Sequence, residues 1–182
     1  MYEQFKARAE GVSAEVHRFA TAAEALAFLV GFLENEGVAD QAGRSGVFAA
    51  CPFLEHVDRS RLAAIPGLAF EVTRERAAAA KVGISQVDWA LADTGTLVQD
   101  ATAIDKRLVS TLPAIHVTLI ETGGLRPDMP SWLADVRPEQ TNYIAMITGP
   151  SRTADIERVL TIGVHGPERL VIVFIDRMEG EN

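Results

Sequence analysis

Apolar positions recur along the chain in two rhythms, one spaced for helices and one running through short unbroken strands. Thr21 to Glu36, TAAEALAFLVGFLENE, opens on a hydroxyl with a Glu three residues on, keeps a helical apolar stripe and stops at Gly37. Ser45 to Pro52 is a short apolar run closed by proline, as a buried strand would be, and a helix and a second strand, Leu68 to Val72, follow. Arg74 to Gly83 has the form of a helix with a glycine stop. Val87 to Ala92 and Thr96 to Asp100 are spaced as two strands joined across Asp93, Thr94 and Gly95, and Ile115 to Ile120 as another strand after Pro113. Glu121 to Pro130 is a proline-marked loop before a short helix at Trp132 to Val136. Asn142 to Thr148 and Leu170 to Ile175 are apolar strands on either side of one more helix.

Strands that are apolar throughout belong to a sheet covered on both faces, and helices interleave with these strands. The fold class expected is therefore α/β: a three-layer, open, mostly parallel sheet with helices on both faces. The length of 182 residues suits one domain spanning 1–182, and no repeat or low-complexity linker divides it.

The stretch TGPSRTADIE, Thr148 to Glu157, carries the densest chemistry. After it, Ile156, Val159, Leu160 and Val164 keep helical spacing, which predicts a strand, turn and helix in succession. A helix start facing a sheet edge collects negative charge on its free N–H groups. Gly149 would allow close approach, Ser151 and Thr153 could donate hydroxyl hydrogen bonds, and Arg152 offers a planar fork for a carboxylate or phosphate. The same atoms also serve as ordinary capping: Ser151 or Thr153 as the cap, Pro150 in the first turn, Asp155 and Glu157 complementing the dipole. Capping leaves Arg152 unexplained, because a cation near a helix start is unfavourable, so an anionic partner is the better account of it. His165, in GVHGP from Gly163 to Pro167, is either a ligand contact or proton shuttle or a partner for the last helix carbonyls.

A second constellation is ADTGTLV, Ala92 to Val98, with KRLVS, Lys106 to Ser110, and His116. Thr94, Gly95 and Thr96 could make an N–H nest with two hydroxyls, and Asp93 a base or acceptor; Asp-Thr-Gly is equally good hairpin chemistry. Arg107 beside Leu108 and Val109, and His116 inside an apolar strand, are unusual placements, although a buried, satisfied histidine is common.

Composition removes several functions. With 17 Lys and Arg against 25 Asp and Glu, the formal net charge is −8, which argues against a nucleic-acid or anionic-membrane partner. Cys51 is the sole cysteine, so an intrachain disulfide, a multi-cysteine zinc site and an iron–sulfur cluster held by this chain alone are all excluded. The four histidines show no metal-ligand spacing and GxGxxG is absent, so neither a metal nor a cofactor is expected. The polar start, Met1 to Glu10, and the lack of a long apolar run lead to the expectation of a cytoplasmic protein with no membrane association.

DTGTLV (Asp93 to Val98), RLVS (Arg107 to Ser110), Leu112 and Pro113 with His116, TGPSRTADIE and GVHGP together resemble the lactate-utilisation protein C family, or LUD domain. The motif-bearing part covers about 84–175. The resemblance implies a fold similar to the ribose-phosphate isomerase, glucosamine-phosphate deaminase and CoA-transferase-like superfamily, whose members bind phosphorylated or carboxylated small molecules. It also implies a subunit of a bacterial system oxidising L-lactate to pyruvate, working with iron–sulfur partner proteins on a small anionic metabolite, with self-association into a homo-oligomer left open. Asp93 stands where the family pattern often carries Glu. The alternatives are a stand-alone enzyme of the superfamily (ligase, isomerase or acyl transferase) and a purely structural or regulatory binding module.

Overall fold

The computed structural model of the chain describes residues 1–137, 139, 141–154, 160–162 and 165–178. Its elements run α1 (Tyr2–Gly11), β1 (Glu15–Thr21), α2 (Ala22–Asn35), β2 (Ser45–Phe48), α3 (Arg59–Ala63), β3 (Leu68–Ala69), α4 (Arg74–Ala79), β4 (Ala80–Gln86), β5 (Trp89–Leu91) and β6 (Thr96–Asp100). Then come α5 (Ile104–Thr111), β7 (Ile115–Glu121), β8 (Leu125–Arg126), α6 (Met129–Asp135), β9 (Ile144–Ile147), β10 (Arg152–Ala154), β11 (Leu160–Ile162) and β12 (Arg169–Arg177).

Six strands form the main sheet in the order β1-β12-β7-β4-β2-β3, and every neighbouring pair is parallel. The expected α/β class with a parallel sheet between helices is what the chain adopts. Each central strand alternates. Val82 and Ile84 of β4, Ile115, Val117 and Leu119 of β7, and Val171, Val173 and Ile175 of β12 point to one face, which α2 covers with Ala22, Ala25, Leu26, Leu29 and Leu33. α2 begins as its sequence predicts: Thr21 Oγ1 accepts from Glu24 N–H, and Glu24 Oε2 accepts from Ala20 N–H at 2.9 Å.

On the opposite face Leu170, Ile172 and Phe174 of β12 are apolar and lie under Phe5 and Ala9 of α1. Phe174 meets Phe5 edge-on, with ring centroids 5.1 Å apart. Farther across that face α5 crosses β4 closely. A Cβ on Gly83 would stand 2.3 Å from the Val109 carbonyl oxygen, so only glycine lets the helix sit there.

Three expectations need correction. The helix read over Arg74 to Gly83 ends at Ala79, and Ala80–Gln86 is the strand β4, paired on both sides with β2 and β7. The alanine run favours helix locally, but Val82 and Ile84, alternating with small Gly83 and Ser85, suit a doubly buried strand, and tertiary pairing decides. The strand at Ile144–Ile147 does not join the main sheet; it pairs antiparallel with β6 in a second sheet ordered β8-β5-β6-β9. The helix expected after Thr148 is also replaced. Arg152–Ala154 and Leu160–Ile162 pair antiparallel, while Ile156, Val159 and Val164 lie outside the described residues.

Candidate functional site

The second sheet and α5 meet the main sheet over the polar strip of β4 and β7. Main-sheet register places Gly83 opposite His116 and Leu170, and Ser85 opposite Thr118 and Ile172. His116 and Thr118 therefore share a face with Ser85, and all three are fully buried. Ser85 Oγ lies 2.9 Å from His116 Nε2 and receives a hydrogen bond from Gln99 Nε2 of β6 at 3.0 Å. Burial pushes the His116 pKa down to about 4, so the ring is neutral near pH 7. His116 Nδ1, Gln99 Oε1 and Thr118 Oγ1 are buried without a hydrogen-bond partner among the described residues.

His116 also lines a cavity of about 220 Å³. Its other walls are the end of α5 (Ser110, Thr111), the chain from Met146 to Gly149, Ser151, and His165 to Pro167 with Leu170. The cavity lies at the amino-terminal ends of β7 and β12, not at the carboxyl ends where open parallel sheets ordinarily hold ligands. Gly149 takes φ +70°, and a Cβ there would stand 2.6 Å from the Val12 carbonyl oxygen, so the turn out of β9 can pass α1 only as glycine. Ser151 N–H donates to the Pro167 carbonyl at 2.8 Å, which ties the two motif segments together at the cavity wall. The hydroxyls of Ser110 and Thr111 both donate to the Arg107 carbonyl, at 3.1 and 2.6 Å. His165, Gly166 and Thr111 also border a wider depression of about 710 Å³ that includes Lys81 and Glu168. Lys81 Nζ is committed there to Glu36, 2.8 Å from its carboxylate.

Of the residues singled out in the sequence, His116, Gly149, Ser151 and His165 thus meet at one cavity. Thr96 adjoins it through a 2.8 Å hydrogen bond between its hydroxyl and that of Thr148. Asp93, Thr94 and Gly95 form the turn between β5 and β6. There the Gly95 N–H donates to Leu91 O, the Asp93 N–H donates to Pro127 O, and Thr94 is exposed. Asp93 Oδ1 is buried without a partner among the described residues. Arg107 donates to Ala101 O at 3.0 Å and lies 5.0 Å over the Tyr143 ring. The Arg152 guanidinium is exposed and reaches the end of α1, donating to Val12 O and, at 3.0 Å, to Ser13 Oγ. Because no helix starts at Ser151, the dipole that made Arg152 call for an anion is absent, and the α1 terminus supplies its acceptors. Thr153 is in β10, and Asp155 lies outside the described residues.

Sequence reasoning missed Ser85, Gln99, Thr118 and Thr148. Ser85 lay just past the helix expected over Arg74 to Gly83, in a stretch to which no element was assigned; Thr118, two residues after His116 in an apolar strand, was a legible signal for a polar strip on one face. The carboxyl edge of the sheet carries a depression of about 390 Å³ with Gln86, Asp88, Glu121 and Arg126. Three of its polar groups are engaged: Gln86 Oε1 accepts from Phe53 N–H at 2.9 Å, Asp88 accepts from Asp100 N–H at 2.7 Å, and Arg126 pairs with Asp135 at 2.8 Å. Burial raises the Asp88 carboxyl pKa above its ordinary value. Cys51 is likewise pushed up to about 11 by burial, which keeps it a thiol. Among the described residues no helix is long and apolar enough to cross a membrane, and no group of three or more His, Cys, Asp or Glu could hold a metal ion.

A sequence model of the LUD domain matches residues 2–175. Among curated proteins, lactate utilization protein C of Exiguobacterium sp. is 36% identical over 111 residues, which is 58% of this chain and 48% of that protein. The protein of the same name from Anoxybacillus flavithermus is 38% identical over 105 residues, 57% of this chain and 48% of its own length. That from Oceanobacillus iheyensis is 32% identical over 130 residues, 68% and 54%. The chain thus spans about half the length of the curated relatives it matches. The crystal structure of a DUF162 family protein from Deinococcus radiodurans superposes with a TM-score of 0.64 over 96% of this chain and 95% of that one, at 18% identity, a likeness of fold.

Proposed function

The chain belongs to the LUD domain family, and from that premise we propose that it serves an L-lactate utilisation system by binding a small carboxylate, lactate or pyruvate, in the cavity at His116. The observation that carries the reading is the fully buried His116 ring, whose Nδ1 has no partner among the described residues, beside a cavity of about 220 Å³. A buried polar group without a partner costs roughly 1–3 kcal/mol, and a ligand that satisfies it recovers much of that. The volume is below the roughly 300 Å³ at which drug-sized pockets begin, which suits a ligand of few atoms.

Two of the walls are the TGPS and HGP segments, and the naming of relatives as lactate utilization protein C supports the same substrate class. Oxidation of lactate to pyruvate releases two electrons. With Cys51 as its sole cysteine the chain cannot ligate a cluster by four thiolates, so iron–sulfur partner proteins would carry those electrons.

Calorimetric titration with L-lactate and with pyruvate tests the reading. Binding of either acid is expected, weakened about tenfold or more by His116→Phe, which leaves Ser151 and the cavity walls in place; heat-silent titrations with both acids would discard it. Co-purification with iron–sulfur proteins tests the partnership, and turnover of a carboxylated or phosphorylated metabolite by the isolated chain would replace the subunit reading with a stand-alone enzyme.

A further inference from the structure

His116 turns one ring nitrogen inward to Ser85, and its ring lines the cavity. The inward nitrogen, Nε2, is 2.9 Å from Ser85 Oγ, and that oxygen already receives the Gln99 amide N–H at 3.0 Å. A serine hydroxyl has a single proton to give, and an amide nitrogen has no lone pair to receive it. Of the two partners, only His116 Nε2 can therefore accept the Ser85 proton. The ring is fully buried, and burial holds its pKa near 4, so near neutral pH it carries one proton, and with Nε2 accepting, that proton is on Nδ1.

We propose that Ser85 and Gln99 are positioning residues that fix His116 as its Nδ1–H tautomer, so that the cavity presents a hydrogen-bond donor and selects a ligand carbonyl or carboxylate oxygen over an amine. The assignment rests on the carboxylate-binding reading for the ligand, but the tautomer itself is a property of the free protein. Its geometry draws on both sheets. Ser85 projects from β4 and Gln99 from β6, so the direction of the proton chain depends on the second sheet sitting over the first. Two of the wall hydroxyls do not duplicate the donor, since Ser110 and Thr111 give their protons to Arg107 O. A protonated amine placed at Nδ1–H would face another donor and leave both unpaired in a desolvated site, the kind of mismatch that discriminates most strongly.

Imidazole ¹⁵N resonances of uniformly labelled protein at pH 7, without added ligand, test the assignment directly. The expected spectrum shows His116 Nδ1 protonated and Nε2 bare. Ser85→Ala, which only removes the hydroxyl, is expected to let the Nε2–H form appear and to weaken pyruvate binding about fivefold, while propylamine shows no binding to either protein. A wild-type spectrum with the proton on Nε2 would mean that the chain runs the other way, with Ser85 donating to the Gln99 amide oxygen, and would overturn the proposal even if pyruvate binds. Ser85→Ala with an unchanged tautomer would overturn it as well. Failure of wild type to bind pyruvate or lactate would instead strike the carboxylate reading, and the spectrum would still decide the tautomer.

Discussion

The two faces of the main sheet, built by alternate residues of the same strands, differ in what they bury. Under α2, β4, β7 and β12 present eight aliphatic side chains, Val82, Ile84, Ile115, Val117, Leu119, Val171, Val173 and Ile175. On the other face β12 stays apolar beneath α1, whereas β4 and β7 place Gly83, Ser85, His116 and Thr118 side by side. The first face is what the hydrophobic effect selects, at about 1.5–3 kcal/mol for each large aliphatic side chain buried. The second keeps buried polar atoms without partners among the described residues, each a cost of roughly 1–3 kcal/mol that packing alone would have removed. The contrast teaches that the polar strip is not there for stability, and it lies beside the cavity walled by the TGPS and HGP segments.

If that division holds, the largest loss of stability should come from the aliphatic face. Leu119→Ala removes a fully buried side chain beneath α2 and should cost about 2–5 kcal/mol in urea unfolding, with tautomer and ligand affinity at His116 unchanged in the folded protein. A comparable loss of pyruvate affinity in the folded variant would show that the two faces are not separable.

Acid should act through the polar face. His116 has a folded pKa near 4 against an ordinary value of 6.5, so between these limits the unfolded chain binds a proton that the folded protein refuses. Stability contributed by the neutral ring is complete above about pH 6.5 and is lost as pH falls towards 4, a change on the order of 3 kcal/mol. The groups around the ring are Ser85, Gln99 through Ser85, and the cavity wall with His165. Unfolding free energies measured from pH 7 to pH 4 should fall more steeply for wild type than for His116→Phe. Identical slopes would remove His116 from the account of acid sensitivity.

The aliphatic face was the more legible of the two in the sequence. Thr21 to Glu36, with its cap and stripe, and the apolar runs at Ile115 to Ile120 and Leu170 to Ile175 announce α2, β7 and β12, because each pattern is satisfied locally and reinforced by burial. The polar face was only half readable. His116 stood out as a polar residue within an apolar strand, but its partners did not: Ser85 lay behind an alanine run that favours helix, and Gln99 arrives from a separate sheet through contacts distant in sequence. The stretch after Thr148 shows how spacing can mislead over a short span, since Leu160, which fits a helical stripe, pairs in β11 with β10. The turns Gly149 to Ser151 and His165 to Pro167 were recognisable as a unit, and their closure, Ser151 N–H on Pro167 O, is a backbone contact that no side-chain pattern encodes. The α1 helix and the β1 strand went unassigned because β1 is an edge strand whose polar residues outnumber its single buried one, Val16.

The smallest effect tests the cost assigned to the polar strip itself. Thr118 is fully buried, its hydroxyl has no partner among the described residues, and it sits beside Ser85 and one step along β7 from the cavity face of His116. Thr118→Val replaces the hydroxyl with a methyl of similar shape, so it removes a desolvated polar atom without opening a cavity, and β7 remains a strand in which valine is favoured. The variant should be more stable than wild type by up to about 1 kcal/mol, measured as a rise in the urea midpoint at constant slope, with the His116 tautomer unmoved. Were Thr118→Val destabilising, the hydroxyl would be satisfied by a bound water or ligand. Thr118 would then belong with Ser85 and Gln99 in the set that positions His116, and the polar strip would be a continuous network rather than one relay beside an idle hydroxyl.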